Sequence, residues 1–276
     1  MTDPNDPLTP VETAVPDRVP VARPVELACA PRPHRFGRIP ALIDLVLFTL
    51  AATTLGILVP VGAWMLHTKD LLPDPTQHLL VLQIVLALLV CLLVAGMLAL
   101  RKQPRASIGW TADRFLANTG IGIIIWIGIM LLSMAMALGL FVFWPEGYKD
   151  LANNRQTVAD ILGDITLVQI FALCVVVSIY EEVIFRGFVL NRLRHLIRSN
   201  LLAVFFTSLV FGGLHIYQGP IAVALVFALG MVLGFVVLWR KSLMPAIVAH
   251  FLFNTGMLLL LYFDVGPDAE LLESLS

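Results

Sequence analysis

From about residue 41 onward, long apolar runs alternate with short polar breaks. Seven of the runs can cross a bilayer, at about 41–66, 79–100, 116–144, 165–187, 201–217, 220–239 and 243–263. Inside lipid only a helix satisfies every backbone N–H and C=O within its own segment. The pattern therefore predicts an all-α polytopic membrane bundle of about seven transmembrane helices. Residues 1–40 carry nine prolines and mixed charge without apolar periodicity, which predicts a disordered cytoplasmic tail. The first apolar run starts too late, and is too long, for a cleaved signal peptide, so it reads as a retained anchor. The division expected is tail 1–40, a three-helix membrane segment 41–144, a four-helix segment 165–263, and a short acidic tail 264–276.

Charge supplies the orientation. Arg18, Arg23, Arg32, Arg35, Arg38, Arg101, Lys102, Arg105, Arg114, Arg186, Arg192, Arg194, Arg198, Arg240 and Lys241 fall on one side of a seven-helix path, 15 of the 18 basic residues; only Lys69, Lys149 and Arg155 fall on the other. Basic loops stay in the cytoplasm, so the N-terminus is expected inside and the C-terminus outside. Trp64, Trp144, Trp239 and Tyr262 sit near predicted helix ends, where amphipathic rings favour the interface. At 59% hydrophobic, 13% charged and mean hydropathy +0.90, the chain is not an ordinary soluble domain. Cys29, Cys91 and Cys174 have no disulfide or metal spacing. No Walker loop, dinucleotide fingerprint or nucleic-acid-binding basic patch is present, so no nucleic acid is expected as partner.

Glu181 and Glu182 break the fourth run, and an ionisable side chain in hydrocarbon costs roughly 2.5 to 3.5 kcal/mol on insertion scales. Such residues face a bundle interior or a wet cavity. Glu182 and Arg186 are i and i+4, the spacing at which opposite charges meet, while Glu181 points about 100° away and is left for chemistry. A buried ion pair with no further role is the competing reading. Of the six histidines, His34, His67, His78 and His195 lie in the tail, in loops or among arginines, whereas His215 and His250 interrupt apolar runs. Phe211 shares a face with His215, and His250 with Asn254. Polar groups on separate helices of one bundle find their cheapest partners in each other. Phe211 is expected to pack as a cavity wall. Gly212, Gly213 and the Gly230-x-x-x-Gly234 pair are expected to let helices approach closely.

Glu181-Glu182-x-x-x-Arg186, Phe211-x-x-x-His215 and His250-x-x-x-Asn254, in that order on successive membrane helices, resemble the CAAX prenyl protease and bacteriocin-processing (Abi) family of intramembrane endopeptidases. The resemblance covers about 165–263; the first three helices carry none of it. It implies peptide-bond hydrolysis in a membrane cavity, with Glu181 and His215 holding and activating a water, His250 and Asn254 facing the oxyanion, and Glu182 and Arg186 supporting them. The partners implied are a peptide or protein substrate, prenylated or not, and membrane lipids, with the bacterial inner membrane as location. Family members are widely labelled metalloproteases, and Glu181, His215 and His250 would supply the His2Glu set of a catalytic zinc. The resemblance to the eukaryotic prenyl-processing members favours a metal-free mechanism with no cofactor.

Two other classes of function stay open at this point. One is a non-enzymatic bacteriocin self-immunity or peptide-binding membrane protein. The other is a proton-coupled transporter, since Glu and His chains also relay protons; against it, no inverted repeat links the halves and the intramembrane charges all fall in the last four runs.

Overall fold

The structure, a computed structural model, describes residues 37–69, 79–163 and 165–265. Residues 1–36 of the expected tail, with Cys29 and His34, the loop holding His78, and residues 266–276 lie outside the described residues. Within them the chain forms nine α-helices and no strand: α1 (Arg38–His67), α2 (Leu79–Leu100), α3 (Phe115–Phe143), α4 (Pro145–Leu162), α5 (Leu167–Glu182), α6 (Leu190–Ile197), α7 (Asn200–Gly213), α8 (Pro220–Arg240) and α9 (Met244–Tyr262). Six segments are long and apolar enough to cross a membrane: α1, α2, α3, the continuous stretch Leu167–Ile197, α8 and α9. The protein is an integral membrane helical bundle.

The run expected at about 201–217 folds differently. Its helix α7 has 14 residues, about 21 Å at 1.5 Å per residue, against a hydrocarbon core of ~30 Å. A 3-10 turn, Ile216–Gln218, carries the chain on to Pro220. The chain then returns along α8, and α7 and α8 lie close because Gly230 and Gly234 face Ser208 and Val204; an added Cβ would come within 2.9 and 2.8 Å of them. Gly212 likewise faces α8, with Val223 O 3.0 Å from an added Cβ, whereas nothing lies within 4 Å of one at Gly213. The close-approach expectation therefore holds for Gly212 and fails for Gly213.

Between the third and fourth runs the sequence pattern predicts no element, yet α4 forms there. Pro145 fits the first helical turn, Glu146 favours the positive end of the dipole, and Tyr148 and Ala152 bury one stripe. The helix is too polar to register as a membrane run, and it packs beside α3, α8 and the Ile216–Gln218 turn.

Helix ends that the charge pattern assigns to one side meet in space. Asp44, in the second turn of α1 and 2% exposed, pairs with Arg101 just past α2 at 2.8 Å and with Arg192 of α6 at 3.0 Å. Arg240, ending α8, donates to Asn118 in the first turn of α3 (2.9 Å), and the Leu243 N–H before α9 donates to Gly109 O (2.8 Å). At the other end Arg155 of α4 pairs with Asp264, just past α9. One expectation changes here. Intramembrane charge is not confined to the last four runs, because Asp44 lies in the first. Arg192, counted among the cytoplasmic basic residues, is fully buried, lies 4.4 Å from the Phe188 ring centroid and donates to Gln103.

Candidate active site

Helix α5 begins on a capping box, with the Thr166 side chain accepting the Gln169 N–H and the Gln169 side chain accepting the Thr166 N–H. That fixed start delivers Glu181 and Glu182 as its last two residues. The backbone then widens into a π-helical turn, Val183–Val189, before resuming as α6. Apolar periodicity reads straight through this turn, so the regular helix expected over 165–187 is replaced by an α–π–α run. Single π turns recur at functional sites because they re-aim neighbouring side chains.

Glu182 is the hub. Arg186 Nη1 donates to its Oε1 at 2.8 Å, forming the expected i,i+4 pair, and His250 Nδ1 lies 2.9 Å from the same oxygen. The Glu182 side chain is fully buried and that of Arg186 is 2% exposed, so each depends on the other, because stranding a buried charge costs several kcal/mol. The Arg186 guanidinium sits 4.1 Å above the Phe211 ring centroid, a cation–π contact worth ~2 kcal/mol when dry. Phe211 also meets Phe185 and His215 at 5.0 Å and His250 at 6.1 Å between centroids. It is the wall between the two histidines.

Glu181 points elsewhere, with its side chain 12% exposed. Its Oε2 is 3.7 Å from His250 Nε2, and its Oε1 accepts the Tyr180 O–H at 3.2 Å. The Tyr180 oxygen in turn accepts from Gln83 Nε2 of α2 at 2.7 Å. His215 lies two residues past α7, half-buried, with Nδ1 2.8 Å from the Phe211 carbonyl. A carbonyl oxygen can only accept, so Nδ1 carries the proton of the neutral ring and Nε2 keeps a lone pair. Asn254 is half-buried, one turn beyond His250 on α9.

Glu181, Glu182, Arg186 and His250 thus form one contiguous polar cluster. Phe211 links His215 to it, and Asn254 lies one turn beyond His250 on α9. Among the described residues no three His, Cys, Asp or Glu side chains are grouped to hold a metal. Tyr180 and Gln83 escape the sequence reading, although Gln83, the only amide side chain in the apolar run 79–100, signals that a partner is needed.

Residues 163–256 match the family model described as Type II CAAX prenyl endopeptidase Rce1-like. That segment is similar to the CAAX-protease family. The match opens just before α5 and closes within α9, so the CAAX-protease segment contains all three motifs and every residue of the cluster except Gln83. No curated protein and no solved structure matches the chain.

Proposed function

We propose that the protein is an intramembrane endopeptidase that hydrolyses a peptide bond with a water activated by Glu181 and His215. The observation that carries this reading is His250, set with Nδ1 on Glu182 and Nε2 3.7 Å from Glu181. His250 Nδ1 faces the Glu182 carboxylate, and in its doubly protonated form the ring offers a second donor at Nε2. At 3.7 Å its Nε2–H is too far from Glu181 to be spent on it. Together with the Asn254 amide it serves the oxyanion, a contact worth about 2.7 to 4 kcal/mol of barrier per donor.

In the proposed step His215 Nε2 accepts a hydrogen bond from the water and Glu181 takes its proton. The hydroxide forms a bond to the scissile carbonyl carbon, and the carbonyl electron pair moves onto oxygen under His250 and Asn254. When the C–N bond breaks, Glu181 returns the proton to the leaving nitrogen. No part of the step requires a metal. The substrate is a peptide or protein segment that enters the bundle, prenylated near its C-terminus as the family description suggests, and the membrane is a bacterial inner membrane.

The test is hydrolysis of prenylated and unprenylated peptides by the purified protein. Glu181→Gln and His215→Ala are each expected to lower turnover by at least about 10²-fold, the ordinary scale of general acid–base groups, with thermal unfolding unchanged. Activity is expected to survive chelator treatment. Full turnover by Glu181→Gln would refute the mechanism, and loss of activity to a chelator with recovery in zinc would replace it with a metal-dependent one.

A further inference from the structure

A cavity lies at the basic end of the bundle. It encloses about 250 Å³ and is lined by Ser107 and Gly109 from the turn before α3, Arg186 and Gly187 from the π turn, Asn191 and Arg194 of α6, and Lys241 at the end of α8, with no acidic side chain. Arg186 is paired with Glu182, and Arg194 and Lys241 add two further cations beside this space. Two donors at this place lack partners: the Ser107 hydroxyl is buried without a hydrogen bond, and so is Nη2 of Arg186, whose side chain is 2% exposed. Lys241 holds a left-handed backbone, φ 52°, a conformation that costs a non-glycine residue roughly 1–2 kcal/mol.

Cations, a buried hydroxyl and no carboxylate suit a tetrahedral oxyanion, since guanidinium and ammonium groups give charge-assisted hydrogen bonds to phosphate oxygens. The cavity lies at the end of the bundle that the positive-inside rule assigns to the cytoplasm, and basic pockets between membrane helices on that side take anionic head groups. We propose that this cavity binds a phosphate group, supplied by an anionic phospholipid or as free phosphate. Arg186 is common to the cavity and the Glu182 cluster, so an anion bound here bears on the residue that holds Glu182.

Calorimetric titration of the full-length protein in neutral detergent tests this, with inorganic phosphate in one arm and short-chain phosphatidylglycerol in the other. Saturable binding is expected, weakened about tenfold, the scale of one charge-assisted hydrogen bond, by Lys241→Gly and by Arg194→Gln, and unchanged by Lys102→Gln, a basic residue of the same end outside the lining. Arg194 also donates to Asn200, so its variant can lose stability; Lys241→Gly removes the charge while relaxing the backbone and is expected to unfold at a higher temperature than wild type. Binding in both arms assigns the site to phosphate itself, and binding of the lipid alone assigns it to the head group. Absence of saturable binding in both arms, or wild-type affinity in Lys241→Gly, overturns the proposal. The readout is binding, so it stands or falls separately from the hydrolytic reading.

Discussion

Replacing Glu182 by glutamine keeps its volume but removes the charge that Arg186 and His250 both face, whereas the same change at Glu181 alters a partly exposed side chain. Stranding one member of a buried pair typically costs about 3–5 kcal/mol. Glu182→Gln is therefore expected to lower the unfolding temperature in detergent sharply and Glu181→Gln hardly at all; equal losses would place both acids in one structural network. Tyr180→Phe and Gln83→Leu form a second pair. Each loosens the link that orients Glu181, so both are expected to reduce kcat by about tenfold or more while leaving KM near wild type, in line with ~1.5–3 kcal/mol for a hydrogen bond to a charged group. A larger effect on KM than on kcat would mean that Tyr180 contacts substrate instead. The Glu182–Arg186 contact was legible because it depends only on helical spacing. The Glu182–His250 and Gln83–Tyr180 bonds were not, because a polar residue in an apolar run announces that it needs a partner without saying which helix supplies it.

At the scale of elements, lengths and periods were visible and interruptions were not. The π turn after Glu182 preserves the apolar pattern while changing the hydrogen-bond register, so composition cannot reveal it. Helix α4 is amphipathic and polar, and disappears beside neighbours that are apolar on all sides. Adjacent glycines show how little of packing is written in residue type: Gly212 and Gly213 look alike in sequence, yet only Gly212 faces α8. Gly212→Ala puts a methyl group 3.0 Å from the Val223 carbonyl and 3.1 Å from Phe227 Cβ, an overpacking expected to destabilise by about 1–3 kcal/mol. Gly213→Ala meets open space in the last turn of α7 and is expected to stabilise by roughly 0.5–1 kcal/mol through the lost chain entropy of glycine. Equilibrium unfolding of both variants checks the contrast, and equal effects would mean that α7 does not lie on α8 in the register seen here.

For the whole molecule, the question is whether short α7 counts as a crossing. If it does, the C-terminus is external; if it and α8 form a re-entrant loop, the C-terminus is cytoplasmic. Contacts at the two ends of the bundle favour a crossing. Arg194 donates to Asn200 at the start of α7, and Arg240 to Asn118 at the end of α8, so both points lie at the basic end. Helix α8 has 21 residues, about 31 Å, which puts Pro220 at the opposite face and obliges residues 200–219 to traverse the same depth, partly as α7 and partly through the Ile216–Gln218 turn. That turn packs beside α4, which is tied by Arg155 to Asp264 at the end of α9. Combined with the 15-to-3 distribution of basic residues, this geometry predicts that reporters fused after Arg105 and Arg198 read cytoplasmic, and those fused after Leu72, Asp150 and Ser276 read external. Reporter activity giving Ser276 a cytoplasmic position would make α7 and α8 a re-entrant pair, and would turn the turn beyond His215 back toward the side on which α7 begins.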